Sequence, residues 1–129
     1  MTTMRPGDCF YNKAVPGIPS HRWVIVSDPE QDQHNVLIVN FTDADDHHDT
    51  TCVFTPTDIP WLTKRTCMAY QFAKLTSIQK LEEAEAKGLL FGHCEVSEEA
   101  LALIREGVST SEELKKTDYL ELLRSQGLA

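Results

Sequence analysis

The sequence predicts a mainly β domain with C-terminal helices, an α+β chain built on a small five-stranded antiparallel barrel. Two continuous runs of β-branched and aromatic residues, Trp23 to Val26 and Val36 to Phe41, flank a polar loop. That is the pattern of two central strands joined by a long hairpin. Other short apolar runs, set off by Gly, Pro and Asp, share residues 8–76 with them, and short antiparallel strands hide their edges most easily by curling. From residue 77 the apolar spacing becomes helical, with Ser and Gly as punctuation.

In chain order, Gly7-Asp8 introduces a first strand, Cys9 to Tyr11, and Pro16, Gly17 and Pro19 make the connection after it. The second and third strands are apolar without alternation, which implies burial on both faces or tight curvature. Their polar residues cluster at the ends: His21 and Arg22 open the second run and Thr42 closes the third. Antiparallel pairing sets the start of one strand beside the end of the next, so these three residues should meet at one rim. Asp43, Asp45, Asp46 and Asp49 surround His47 and His48 in a loop just beyond it.

Thr51 to Phe54 reads as a fourth strand, followed by Trp61 between breakers as a plug folded back on the domain. Thr66 to Leu75 reads as a fifth, with Cys67, Ala69, Gln71 and Ala73 on one face and Met68, Tyr70, Phe72 and Lys74 on the other. Ser77 opens a helix stopped by Gly88, with Ile78, Leu81 and Ala84 inward. Ser97 caps a second whose first turn carries Glu98 and Glu99, suited to its positive end, and Gly107 marks its end. A third runs from Ser111 to Ser125 on Leu114, Leu120 and Leu123. The expected organisation is a barrel with two packed helices over residues 1–107 and a helical extension over 108–129, packed on the barrel or lent to another chain.

At 129 residues one core is expected, and 41% hydrophobic with 25% charged residues is ordinary globular composition. No apolar run is long enough to span a membrane and residues 1–10 lack a signal-peptide core, so a cytoplasmic location is expected. Cys9, Cys52, Cys67 and Cys94 are widely spread, read as free, mostly buried thiols, and the absence of a CxxC pair argues against zinc; no metal or cofactor is expected. The net charge of −8 divides into −3 over residues 1–77 (six bases, nine acids) and −5 over 78–129 (six bases, eleven acids). Such acidity argues against non-specific grip on a phosphate backbone but leaves room for a local site.

Several strings in this order resemble the PemK/MazF family of growth-inhibitor endoribonucleases from toxin-antitoxin modules. They are Gly7-Asp8, HRWVIVS at 21–27, VLIVNFT at 36–42, AKLTSIQKL at 73–81 and GHCEVSEEALALI at 92–104. The resemblance implies an SH3-like barrel, homodimerisation, an antitoxin peptide in the site groove and metal-independent cleavage of single-stranded RNA. The family places an Arg at the start of the second strand and a Thr or Ser at the end of the third. Thr42 matches the latter, whereas alignment on Ser27 puts His21 at the Arg position and Arg22 where Pro is usual. Two outcomes follow: His21 takes over proton transfer with Arg22 supplying charge, or the activity is lost.

Cleaving RNA without metal needs a base for the 2′-hydroxyl proton, an acid for the leaving oxygen and a donor for the phosphorane charge. His21 and His48 suit the proton roles, Arg22 the charge and Thr42 an orienting donor, while His47, Lys64, Arg65 and Trp61 would hold substrate. Tyr70 and Phe72 could stack on bases or belong to the core. Solvated loop histidines and a non-catalytic barrel that binds protein or nucleic acid form the alternative.

Overall fold

The computed structural model describes residues 4–12, 21–44, 50–111, 114 and 117–129. Its elements are β1 (Asp8–Asn12), β2 (Arg22–Ile25), β3 (Val36–Asp43), β4 (Val53–Phe54), β5 (Thr66–Thr76), α1 (Ile78–Ala86), β6 (Leu90–Glu95), α2 (Glu98–Thr110) and α3 (Thr117–Ser125). The strands form one antiparallel sheet in the order β4-β5-β3-β2-β1-β6. The mainly β plan with helices in the C-terminal part therefore holds, but a sixth strand, set between α1 and α2, joins the five expected ones. Trp61, in the connection after β4, donates from Nε1 to the carbonyl of Glu95 on β6 at 2.8 Å. Since β4 and β6 are the two edges of the sheet, the sheet is curled enough to bring them within one side chain's reach.

The continuous apolar runs are buried on both faces. Val24, Val26, Leu37, Val39 and Phe41 point to the main core, where Ile104 and Val108 of α2 and Tyr119 and Leu123 of α3 cover them. Trp23, Ile25, Val36 and Ile38 point the other way, onto Met4, Phe10 and Leu81 of α1. Period-two alternation thus supplies two cores from one pair of strands. Ser77 and Ser97 cap their helices as expected, accepting from the amides of Lys80 and Ala100 at 3.2 and 3.1 Å.

Three local expectations change. The even alternation predicted for β5 breaks because its pairing with β3 slips between Ile38 and Asn40. Met68 and Tyr70 face the main core before the slip and Ala73 and Leu75 after it, while Phe72 is 57% exposed. A local irregularity of this kind shifts which parity points inward.

Gly107 does not end α2, which continues to Thr110; it lies buried within the helix against Tyr70. The turn to an extended backbone comes at Ser111 (φ −68°, ψ 128°), so the third helix does not start there. The four cysteines stand as thiols, three of them buried and Cys94 half-buried. Among the described residues no helix is long and apolar enough to cross a membrane.

Candidate functional site

The ends of β2 and β3 meet as antiparallel pairing requires. Trp23 pairs with Asn40, and the same register continued brings His21 beside Thr42. Asn12 pins this corner: its Oδ1 accepts from the His21 amide at 3.2 Å and from Trp23 Nε1 at 3.1 Å, and its own amide donates to the His21 carbonyl at 3.3 Å. Above the corner lies an open cleft of about 340 Å³ lined by Tyr11, His21, Arg22, Phe41, Thr42, Asp43, Trp61, Leu62, Thr63, Lys64 and Thr66.

The cleft gathers His21, Arg22, Thr42, Trp61 and Lys64. Arg65 is exposed and does not line it; its carbonyl accepts from the Ala44 amide at 3.3 Å. His47 and His48 lie outside the described residues. Tyr70 is core, its hydroxyl donating to the Ile104 carbonyl at 2.8 Å.

Trp61 is the plug its setting implied. Its ring meets Phe41 edge-on, centroids 5.5 Å apart, and packs against the main core while lining the cleft. Trp61 and Phe41 together give the cleft an apolar wall.

Arg22 is held more tightly than an exposed cation. Its guanidinium carbon sits 4.0 Å from the Tyr11 ring centroid and 4.5 Å from that of Trp61, clamping it between two aromatic faces. Nη1 donates to the sulfur of Cys94 at 2.8 Å, while the buried Nε has no hydrogen-bond partner. A planar guanidinium suits this slot; a lysine ammonium would not fill it.

Lys64 Nζ pairs with Asp43 Oδ2 at 2.6 Å across the cleft wall. With the ammonium side chain 59% exposed, the pair is worth at most about 1 kcal/mol. Arg22 and Lys64 against Asp43 leave the described lining one positive charge in excess, on a chain whose net charge is −8. Such a site attracts a phosphate locally and weakly.

Sequence reasoning did not reach β6, whose residues complete the Arg22 environment. Its side chains are mostly exposed and its apolar run, Leu89 to Phe91, is only three residues long, too short to announce a strand. The available signal was Gly92 inside LLFGHCEV, since an isolated Gly in a short apolar segment marks a bulge. Pairing of β1 with β6 does slip there: Tyr11 faces Phe91 and Cys9 faces Cys94, with one extra residue on β6. Gly92 has φ +68°, and a Cβ on it would stand 2.9 Å from Tyr11 Cδ2. The extra residue lets Phe91 stack on Tyr11 and Cys94 reach Arg22 from the same strand.

Comparison with known proteins finds no match: no family model, no curated protein and no solved structure is similar to this chain.

Proposed function

We propose that this protein is a metal-independent endoribonuclease of PemK/MazF-like toxin type that cleaves single-stranded RNA in the cleft between β2, β3 and the Trp61 loop. The observation that carries the reading is the convergence of His21, Arg22, Thr42, Lys64 and Trp61 on one concave, locally positive surface. In this reading a base packs against the apolar wall of Trp61 and Phe41, and the phosphate sits toward Arg22 and Lys64. His21 takes the 2′-hydroxyl proton, Thr42 orients the reacting oxygens, and Arg22 stabilises the charge on the phosphorane. His48 returns a proton to the leaving 5′-oxygen, with His47 beside it as a substrate contact.

The same reading takes β1 to β5 as an SH3-like barrel, with a homodimer and an antitoxin peptide competing for the cleft, in the cytoplasm where its RNA would be. A second reading, a non-catalytic module that binds RNA or a peptide on this surface, is favoured by two contacts. Arg22 already spends Nη1 on Cys94, and Lys64 already faces Asp43.

The test is incubation of a mixed RNA with micromolar protein in EDTA, beside the His21→Ala and His48→Ala variants. The endoribonuclease reading expects 2′,3′-cyclic phosphate ends in the wild type and at least a hundredfold loss in each variant, the scale of a general acid or base. Intact RNA that nevertheless binds with micromolar affinity makes the protein a binding module.

A further inference from the structure

We propose that Cys94, with Cys9 opposite it, is an oxidation site for small hydroperoxides, Cys94 being the attacking sulfur and Cys9 the thiol that closes a disulfide. This inference goes beyond the RNA-cleavage reading and does not rest on it. Cys9 and Cys94 are direct partners in the β1–β6 ladder. Such partners have Cα atoms about 4.5 or 5.5 Å apart, within the roughly 4.4–6.8 Å that a disulfide spans.

Access separates the cysteines. Cys9 and Cys67 have no exposed surface and Cys52 has 6%, whereas Cys94 is half-buried on a mostly exposed strand. A small oxidant in water therefore meets Cys94 first. The Arg22 guanidinium, clamped by Tyr11 and Trp61, donates to that sulfur at 2.8 Å and is ready to stabilise a thiolate.

The charges around the pair agree. The hydrogen bond from Cys9 lowers the Cys94 thiol to about 7; burial opposes this, Arg22 adds to it, and the Glu95 carboxylate opposes it weakly. Cys9 shifts the other way: it keeps its proton because it donates to the Cys94 sulfur and is buried, with Asp8 adding a small push in the same direction. Gly7 O, 3.5 Å from Cys9 Sγ, offers that proton a second acceptor. Of the other charged groups nearby, Asp8 lies opposite Glu95 in the ladder, and His93 is turned to Glu85 at 3.1 Å.

The chemistry balances. The Cys94 thiolate attacks the distal oxygen of the hydroperoxide; an S–O bond forms, the O–O bond breaks, and the alkoxide leaves and takes a proton from water as the alcohol. Cys9 then attacks the Cys94 sulfur: S–S forms, S–O breaks, and hydroxide departs with the Cys9 proton as water. The two sulfurs lose two electrons and the peroxide gains them. Oxidation also removes the anion that Arg22 faces.

The experiment treats the fully reduced protein with a small excess of hydrogen peroxide, blocks remaining thiols under denaturing conditions and maps peptides by mass spectrometry. A Cys9–Cys94 linkage with Cys52 and Cys67 still alkylated is the expected result; in Cys9→Ser, dimedone should trap the sulfenic acid at Cys94. Iodoacetamide alkylation of Cys94 in the native wild type, which needs no variant, should be half-maximal near pH 7. Arg22→Gln should slow it a few-fold at that pH, because the cation beside the sulfur is gone while the hydrogen bond from Cys9, the larger cause, remains. A half-maximal pH of about 8.5 in the wild type, or peroxide treatment that leaves Cys9 and Cys94 unlinked, overturns the proposal.

Discussion

The Tyr70 ring fills the space that a side chain at Gly107 would need: a Cβ built there overlaps Oη and Cζ and lies 2.9 Å from Cε2. The strand and the helix are thereby locked, because the same hydroxyl donates to the Ile104 carbonyl one turn earlier at 2.8 Å. Gly107→Ala should improve helix propensity by about 1 kcal/mol yet destabilise the protein by about 1–3 kcal/mol net, as overpacking does. Urea unfolding measures it, and a variant as stable as the wild type would show that α2 stands further from β5. Tyr70→Phe should not rescue it, since the ring carbons remain in the way.

A paired glycine comparison tests the β6 bulge. Gly92 and Gly88 both have positive φ, +68° and +71°, but a Cβ at Gly88 meets nothing within 4 Å whereas one at Gly92 meets Tyr11. Gly88→Ala should cost about 1–2 kcal/mol, the left-handed backbone penalty alone. Gly92→Ala should cost measurably more and lower the Tm further, because Tyr11 must move off Arg22. Equal losses in the two variants would mean that the Tyr11 contact carries no energy.

Salt and charge substitutions test the cleft. If Arg22 and Lys64 are its phosphate contacts, binding of a short single-stranded RNA should weaken with a log–log salt slope near −1.4, about −0.7 for each contact. Asp43→Asn removes the carboxylate facing Lys64 and should tighten binding by roughly 2- to 5-fold, while Arg22→Lys should weaken it despite keeping the charge. Fluorescence anisotropy over a salt series reads all three. A slope near zero, with no response to Arg22→Lys, would remove RNA from this surface.

The thiolate also gives a pH dependence with a defined sign. Cys94 titrates lower in the folded protein than in the unfolded chain, so its contribution is complete above the unfolded value of about 8.5 and is lost as pH falls through about 7. Relative to Cys94→Ala, the wild type should therefore gain Tm between about pH 6 and pH 8.5. Parallel profiles for the two proteins would show that Cys94 is not stabilised as an anion.

The chain by itself determined the elements whose cause is local. Uninterrupted apolar runs made β2 and β3 central and doubly buried, serines before helical spacing set the starts of α1 and α2, and antiparallel pairing put His21 beside Thr42. Trp61 was legible as a plug because a large ring between breakers has few other places to go.

Tertiary structure decided the rest, through contacts between residues far apart in sequence. Strand β6 has only a three-residue apolar run at its start and is recognised by its pairing with β1; that pairing brings Cys94 to Arg22 beside Tyr11 and Trp61. Gly107 reads as a helix end in sequence, yet α2 runs on to Thr110, and the bulk of Tyr70, 37 positions away in the numbering, leaves this helix-interior position no room for a side chain. Lys64 reads as a cation offered to substrate, and the return of β3 sets the Asp43 carboxylate against it. Periodicity and caps are properties of neighbours along the chain, whereas charge pairing and close packing depend on which strands lie side by side.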